Sequence, residues 1–384
     1  MLNKVIVIPD SFKGTMSSIE ICGTVSAAVR AHCPDCEIVN VPVADGGEGS
    51  VDCLLAACGG EKIRARVSGP FFSAVDSFYG MLPDGTAVIE MAACAGLPLA
   101  GERKSAADTT TYGVGELIAD ALGRGARKII LCLGGSATND GGAGMAAALG
   151  VKFFGRNGEF IPVGRTLCDI ERTDISSVRP EVRSASFVTM CDIDNPLFGE
   201  NGAAYVFAPQ KGVKPGETEM LDAGLRHLSD VILRDTGKDI SQIPGSGAAG
   251  GCGGGSVAFL GSELRMGIET VLDTVGFDGL LNGTDLVITG EGRMDGQSLR
   301  GKVVIGVSRR CKAHGVPVAV LTGNTAGTAM DGLAEGVSGI FVTNMRGDPF
   351  RGDPEISRRD LREAAENLVN FTVALKRNEG GKNE

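Results

Sequence analysis

The sequence has no tryptophan, 5% aromatic residues and three histidines in 384 residues. Scarce aromatic anchors argue against a protein-recognition surface, where Trp and Tyr carry most of the binding energy. The histidines, His32, His227 and His314, fall in or beside helical segments, which argues against histidine-driven catalysis. Basic charge is also short, with 37 Lys and Arg against 47 Asp and Glu and a net charge of −10. A nucleic-acid surface needs a basic footprint to displace counterions, so the charge balance argues against that class of partner, while an anionic small molecule could still meet basic groups clustered locally. No apolar run approaches the roughly 20 residues of a membrane span, and "KVIVIPD" is too short for a signal-peptide core. The expectation is a soluble cytoplasmic protein with no nucleic-acid or membrane partner. The glycine-dense turn within residues 126–150 spells neither G-x-x-x-x-G-K-[ST] nor G-x-G-x-x-G, and the serines of "GSAT" and "GSG" lack the G-x-S-x-G elbow of serine hydrolases.

Glycine is abundant instead, with 58 residues, and implies many tight backbone approaches. Eleven cysteines, an odd number scattered singly through apolar segments, fit reduced buried thiols. Cys33 and Cys36 have C-x-x-C spacing, but no second cluster completes a zinc site, and they read as a loop after the first helix.

The chain length suits two domains. "KVIVIPDS" and "EIVNVPVADGG" are β-branched runs ending in turns, each followed by a helical segment. In the first helix Ser17 and Glu20 form a capping box, and Ile21, Val25 and Val29 share a face. Two such βα units predict a parallel sheet with functional loops at the strands' C-terminal ends. Residues 62–103 read as a meander broken by Ser-Gly-Pro and Pro-Asp-Gly turns, and 151–212 again favours short strands. The βα rhythm returns at "TDLVITGEGRMD", and the last helix places Leu361, Ala365, Leu368 and Leu375 on one stripe. The expected architecture is α/β in two domains. A Rossmann-like parallel-sheet domain is built from both chain ends (1–61, 104–150 and 283–376). A mixed α/β domain (62–103 and 151–282) is inserted, and 377–384 form a disordered tail. Ligand is expected between the domains.

Four strand-to-turn junctions combine Gly with Asp, Ser, Thr or Lys: "PDSFKG" (9–14), "ADGGEG" (44–49), "GGSATNDGG" (134–142) and "TGEGRMDG" (289–296). Glycine lets backbone N–H groups face an anion, and a following helix adds partial positive charge. Each loop carries an acid (Asp10, Asp45 or Glu48, Asp140, Glu291 or Asp295). Phosphates together with carboxylates imply Mg²⁺. Any one of these loops could equally be a plain turn, and Lys13 is either a solvated surface lysine or a phosphate contact. Asp192 and Asp194, spaced by two on an extended segment, would share a face as paired carboxylates. The same Asp-Asn-Pro spelling also makes a strand-end turn. With histidine and serine chemistry set aside, phosphoryl transfer is the reaction class best served by these loops.

Together with "CDIDNPL", "FAPQKG" and "GSGAAGGCG", these loops closely resemble the bacterial glycerate kinases of the family that includes 2-phosphoglycerate-forming enzymes. The likeness runs in order from about residue 3 to about 375. It implies phosphorylation of D-glycerate, at O2 in preference to O3, by ATP with Mg²⁺, and it leaves a homodimer open. Gly14, Ser246 and Cys252 depart from the family's common residues, which bears on fine specificity.

On the motif positions, Asp192 is the first choice of catalytic base, Asp295 the second, and Lys13 a further catalytic group. Asp10, Ser11, Lys13, Lys211 and Arg293 are substrate-binding candidates, because a carboxylate needs Arg, Lys or N–H donors. Nucleotide phosphates are placed on Gly134, Gly135, Ser136, Thr138, Asn139 and Gly141, and on Gly250 and Gly251. Mg²⁺ is placed on Asp45 or Asp194. Competing readings are a 3-phosphoglycerate-forming kinase, a nucleotide-dependent oxidoreductase with a degenerate fingerprint, and a non-catalytic binding protein.

Overall fold

The computed structural model describes residues 2–296, 302–327, 329–345 and 352–380. The chain forms two compact units: Met1–Asp45, Ala56–Cys58 and Met266–Glu384 in the first, Gly46–Leu55 and Gly59–Arg265 in the second. Both chain ends therefore build one α/β unit into which the other is inserted.

In the first unit the strands Lys4–Pro9, Glu37–Asn40, Leu286–Met294, Val318–Thr325 and Gly339–Val342 form a sheet in which every pairing is parallel. Their spatial order, counted along the unit, is 2-1-3-4-5. The connection direction thus reverses between Lys4–Pro9 and Leu286–Met294, and such a switch point opens a crevice at the strands' carboxyl ends. Val5, Val7, Ile288 and Leu321 pack with Ile21, Val25 and Val29 of the helix Ser18–His32 and with Leu361, Ala365 and Leu368 of the helix Pro354–Gly380. On the other face Val320 meets Val304 and Ile305 of the helix Val303–His314. Burial on both faces is why "VIVI" is continuously apolar rather than alternating. The capping box at Ser17 and Glu20 is formed.

The last helix departs from expectation in two places. Leu375 is 51% exposed, because burial drifts along Leu361, Ala364, Ala365, Leu368, Val369 and Val373 instead of holding one strict stripe. Residues 377–380 continue the helix in place of a disordered tail, and 381–384 lie outside the described residues.

"TGEGRMDG" is strand rather than turn through Met294, with Glu291 opposite Thr322 and Arg293 opposite Asn324. Gly290 is required there by crowding, since a Cβ would overlap the carbonyl oxygen of Leu321 on the neighbouring strand. Gly290→Ala is therefore expected to cost about 1–3 kcal/mol or more, read as a lowered urea midpoint. An unchanged midpoint would show that the strands separate freely.

In the second unit the sheet runs Glu263–Arg265, Ser186–Met190, Lys128–Cys132, Thr86–Glu90, Ala74–Met81 and Glu61–Ser68. The first four are parallel neighbours and the last two add antiparallel. Lys128–Cys132 is thus interior to this sheet, so residues 104–150 belong with the inserted unit and not, as expected, with the chain ends. Burial of Ile129, Ile130 and Leu131 on both faces explains the apolar run, but a buried parallel strand carries no mark of which sheet it joins. Lys152–Gly155, Gly158–Phe160 and Arg172–Asp174 make a small antiparallel sheet.

Candidate active site

In the first unit, Asp10 follows the buried strand Lys4–Pro9 at the switch point, and its N–H donates to the Gly290 carbonyl at 2.8 Å. The chain then closes a tight turn between Phe12 and Met16, both buried, with Lys13 and Gly14 exposed at its tip. Lys13 Nζ reaches Asp45 Oδ2 at 3.4 Å. Ser11 N–H donates to Asp10 Oδ1 at 2.6 Å. Burial, followed by the like charge of Asp45, pushes the Asp10 carboxyl up to about 6, against the opposing pull of the Ser11 N–H and the Lys13 ammonium. Lys13 is itself held above its ordinary value, chiefly by Asp45, with Asp10 and Glu291 contributing. Arg293 is exposed and lies 3.7 Å from Asp295. The structure therefore gathers Asp10, Ser11, Lys13 and Asp45 as a mixed-charge group. A carboxylate that ionises near neutrality is the kind of group that can accept a proton from an alcohol.

In the second unit the turn after Lys128–Cys132 answers differently from expectation. Gly134 and Gly135 reach the surface, while Ser136, Thr138, Asn139 and Gly141 are buried. The buried carboxylate of Asp140 accepts from Gly142 N–H at 3.1 Å, Gly144 N–H at 3.3 Å, and the N–H and hydroxyl of Thr111 at 2.7 and 2.8 Å. The start of the short helix Ala143–Ala148 thus already has an internal anion. Desolvation raises the Asp140 carboxyl, and these four donors oppose it. Glu90 does the same for the helix Ser50–Cys58, accepting from Val51 N–H at 2.7 Å. No spelling rule flagged either buried acid as a cap. For Asp140 the one available signal was an acid within a glycine turn that leads into a helix; Glu90, the last residue of the strand Thr86–Glu90, had none.

The turn is pinned from several sides. Gly134 N–H donates to Gly46 O at 2.9 Å, Leu97 N–H to Gly135 O at 2.9 Å, and Gly141 N–H to Gly250 O at 3.0 Å. Gly250 and Gly251 are buried against it, and a Cβ on Gly250 would overlap the Thr138 carbonyl. The second glycine-rich run is therefore glycine-rich so that two backbones can touch. Lys211, at 2% exposure, donates from Nζ to Ser136 Oγ at 2.9 Å and to the Thr138 carbonyl at 2.8 Å. It lies behind the turn, not on its surface.

Asp192 and Asp194 follow the strand Ser186–Met190 on a segment without regular structure, so the alternation that would put them on one face does not apply. Asp192 is half-buried and Asp194 exposed. Asp45 ends the first segment of the first unit, and Asp194 belongs to the second unit. Among the described residues no three His, Cys, Asp or Glu side chains form a metal cluster, and no helix is long and apolar enough to cross a membrane. His227 and His314 bond to the carbonyls of Ile170 and Arg310. Cys33 and Cys36 are buried free thiols.

Comparison with known proteins agrees with the folded arrangement. Residues 5–373 match the family model described as the glycerate kinase family. A glycerate kinase of Halalkalibacterium halodurans is 42% identical over 345 residues, covering 88% of each chain. The Escherichia coli K12 glycerate 2-kinase is 42% identical over 344 residues, 88% of this chain and 90% of that one. The crystal structure of a Salmonella typhimurium LT2 protein assigned as glycerate kinase 2 superposes with a TM-score of 0.87 at 36% identity, covering 98% of this chain and 100% of that one.

Proposed function

The chain belongs to the glycerate kinase family, and from that premise we propose that it transfers the γ-phosphoryl group of ATP to O2 of D-glycerate, with Mg²⁺, to give 2-phosphoglycerate. The observation that carries the residue assignment is the placement of Asp10 at the sheet's switch point, held by its N–H on the Gly290 carbonyl and grouped with the Lys13–Asp45 pair, where burial and Asp45 raise its carboxyl. In this reading the Asp10 carboxylate accepts the proton of the acceptor hydroxyl as the O–P bond forms and the bond to ADP breaks. It then gives that proton to water. Lys13 and Arg293 supply positive charge for the glycerate carboxylate or the moving phosphoryl group. Positioning of this kind, with little covalent chemistry, is what phosphoryl transfer requires.

The donor set suits Mg²⁺. Asp10 and Asp45 act on each other as like charges, and hard oxygen donors of this type bind that ion with phosphate oxygens completing its shell. Asp45 is the protein group proposed to hold it, and Asp194 is the second candidate. When bound, Mg²⁺ supplies charge neutralisation on the phosphates. Gly134 and Gly135, the accessible part of their turn, are the proposed seat of the nucleotide's phosphates. Asp192 and Asp295 remain the alternative bases. A coupled assay for ADP release is expected to show turnover with ATP and D-glycerate and none with NAD. ATP binding without turnover would favour a binding protein, and NAD reduction an oxidoreductase.

A further inference from the structure

Lys211 is placed with little freedom. It ends the short 3₁₀ turn Pro209–Lys211, and Gly212, at φ +81°, closes that turn against Lys104. Its ammonium is spent on two acceptors of one loop, Ser136 Oγ and the Thr138 carbonyl. Packing alone would be served as well by methionine, since an interior ammonium carries a desolvation cost of several kcal/mol. The layer around it is polar for no packing reason either. Thr138 Oγ1 and both amide atoms of Asn139 are fully buried and have no hydrogen-bond partner among the described residues, and native structures rarely keep such groups.

We propose that Lys211 is a positioning residue whose buried charge acts through the Ser136–Thr138 backbone on the anion held at Gly134 and Gly135. This inference rests on the reading of those glycines as the seat of the nucleotide's phosphates. A charge buried in low dielectric acts over a longer range than one in water. Its hydrogen bonds to Ser136 and Thr138 also fix the conformation of the residues that follow Gly135.

Among the described residues Lys211 faces two titratable groups, Asp140 and Cys252. Asp140 favours its charged form, and the Cys252 thiol is itself pushed up by burial and stays neutral. Burial outweighs Asp140 and drives the Lys211 ammonium down to about 8. The charge is therefore present at neutral pH and lost as pH rises through that value, which arginine in the same place would not show.

The test is calorimetric titration of the full chain with ATP and with adenosine, in Mg²⁺, from pH 7.5 to 9.5, for wild type, K211R and K211Q. ATP binding by wild type is expected to weaken about tenfold across that range, while K211R binds ATP without that dependence. K211Q binds ATP weakly throughout, and adenosine affinity stays level in all three. The same pH dependence in K211R as in wild type overturns the proposal, as does ATP binding by K211Q equal to wild type. A parallel loss of adenosine affinity overturns it too, because it marks a purely structural role. If K211Q fails to fold, the comparison of wild type with K211R still decides. No ATP binding by wild type overturns this inference and the reading of the turn together. ATP binding without glycerate turnover leaves it standing while refuting the proposed reaction.

Discussion

Replacing Asp10 by Asn is expected to lower kcat by about 10²- to 10⁴-fold, the usual contribution of a positioned base, while the protein becomes more stable. The two effects share one cause. Asp10 is raised from 3.8 to about 6, first by burial and then by Asp45, so its ionised form is held in the folded state at a cost. Between those two values the native state binds more protons than the unfolded one. Stability from this group therefore falls as pH rises from 3.8 through about 6, and stays at the lower level above. Asn carries no such cost, and D10N is expected to gain about 1–2 kcal/mol at pH 7.5, discounting the shift for partial exposure. In wild type kcat/KM should rise with pH to a plateau, and that acid limb should vanish in the residual activity of D10N. D192N and D295N are the controls. Near-normal turnover in D10N with a collapse in either control would move the base to that residue.

Asp140→Asn is expected to be the most damaging substitution in the second unit. The carboxylate oxygens accept four hydrogen bonds from Thr111, Gly142 and Gly144. An amide would turn an NH₂ group toward donors that need an acceptor. It would also remove the negative charge that favours the charged form of the buried Lys211. Breaking a buried charge arrangement from one side costs about 3–5 kcal/mol. Lys211→Met in the D140N background should recover part of that loss, because the leftover ammonium goes with it. A double-mutant cycle read from urea midpoints should show coupling of about 0.5–3 kcal/mol. Strict additivity would mean that Asp140 and Lys211 do not sense each other.

Much of the first unit was legible because its signals are local. The Ser17–Glu20 box, the Ile21–Val25–Val29 face and the unbroken apolar strands each point to one element, and two consecutive βα units imply a parallel sheet. Pairing across the insertion is a different matter. Lys128–Cys132 reads as a buried strand in any sheet, and its neighbours were settled by long-range contacts with Thr86–Glu90 and Ser186–Met190. The glycine loops were legible as places of close approach but not as to what approaches. At Gly250 and Gly290 it is the protein's own backbone, and at the Ala143–Ala148 helix it is the protein's own Asp140. Asp10 was visible as an acid in a loop. Its shifted ionisation depends on burial and on Asp45, which is distant in sequence, so no spacing rule could show it. Lys211 reads as a substrate-binding candidate for the same reason, since no local feature of "FAPQKG" states that the ammonium is enclosed.

The central claim, phosphorylation of D-glycerate at O2, is tested most directly by the proton-coupled ³¹P spectrum of the product formed from ATP, Mg²⁺ and D-glycerate. Phosphorus on O2 has a single methine proton as its near neighbour and gives a doublet that coincides with added 2-phosphoglycerate. A triplet coinciding with 3-phosphoglycerate would move the reaction to the terminal hydroxyl, and the absence of any new phosphomonoester signal would contradict the kinase reading itself.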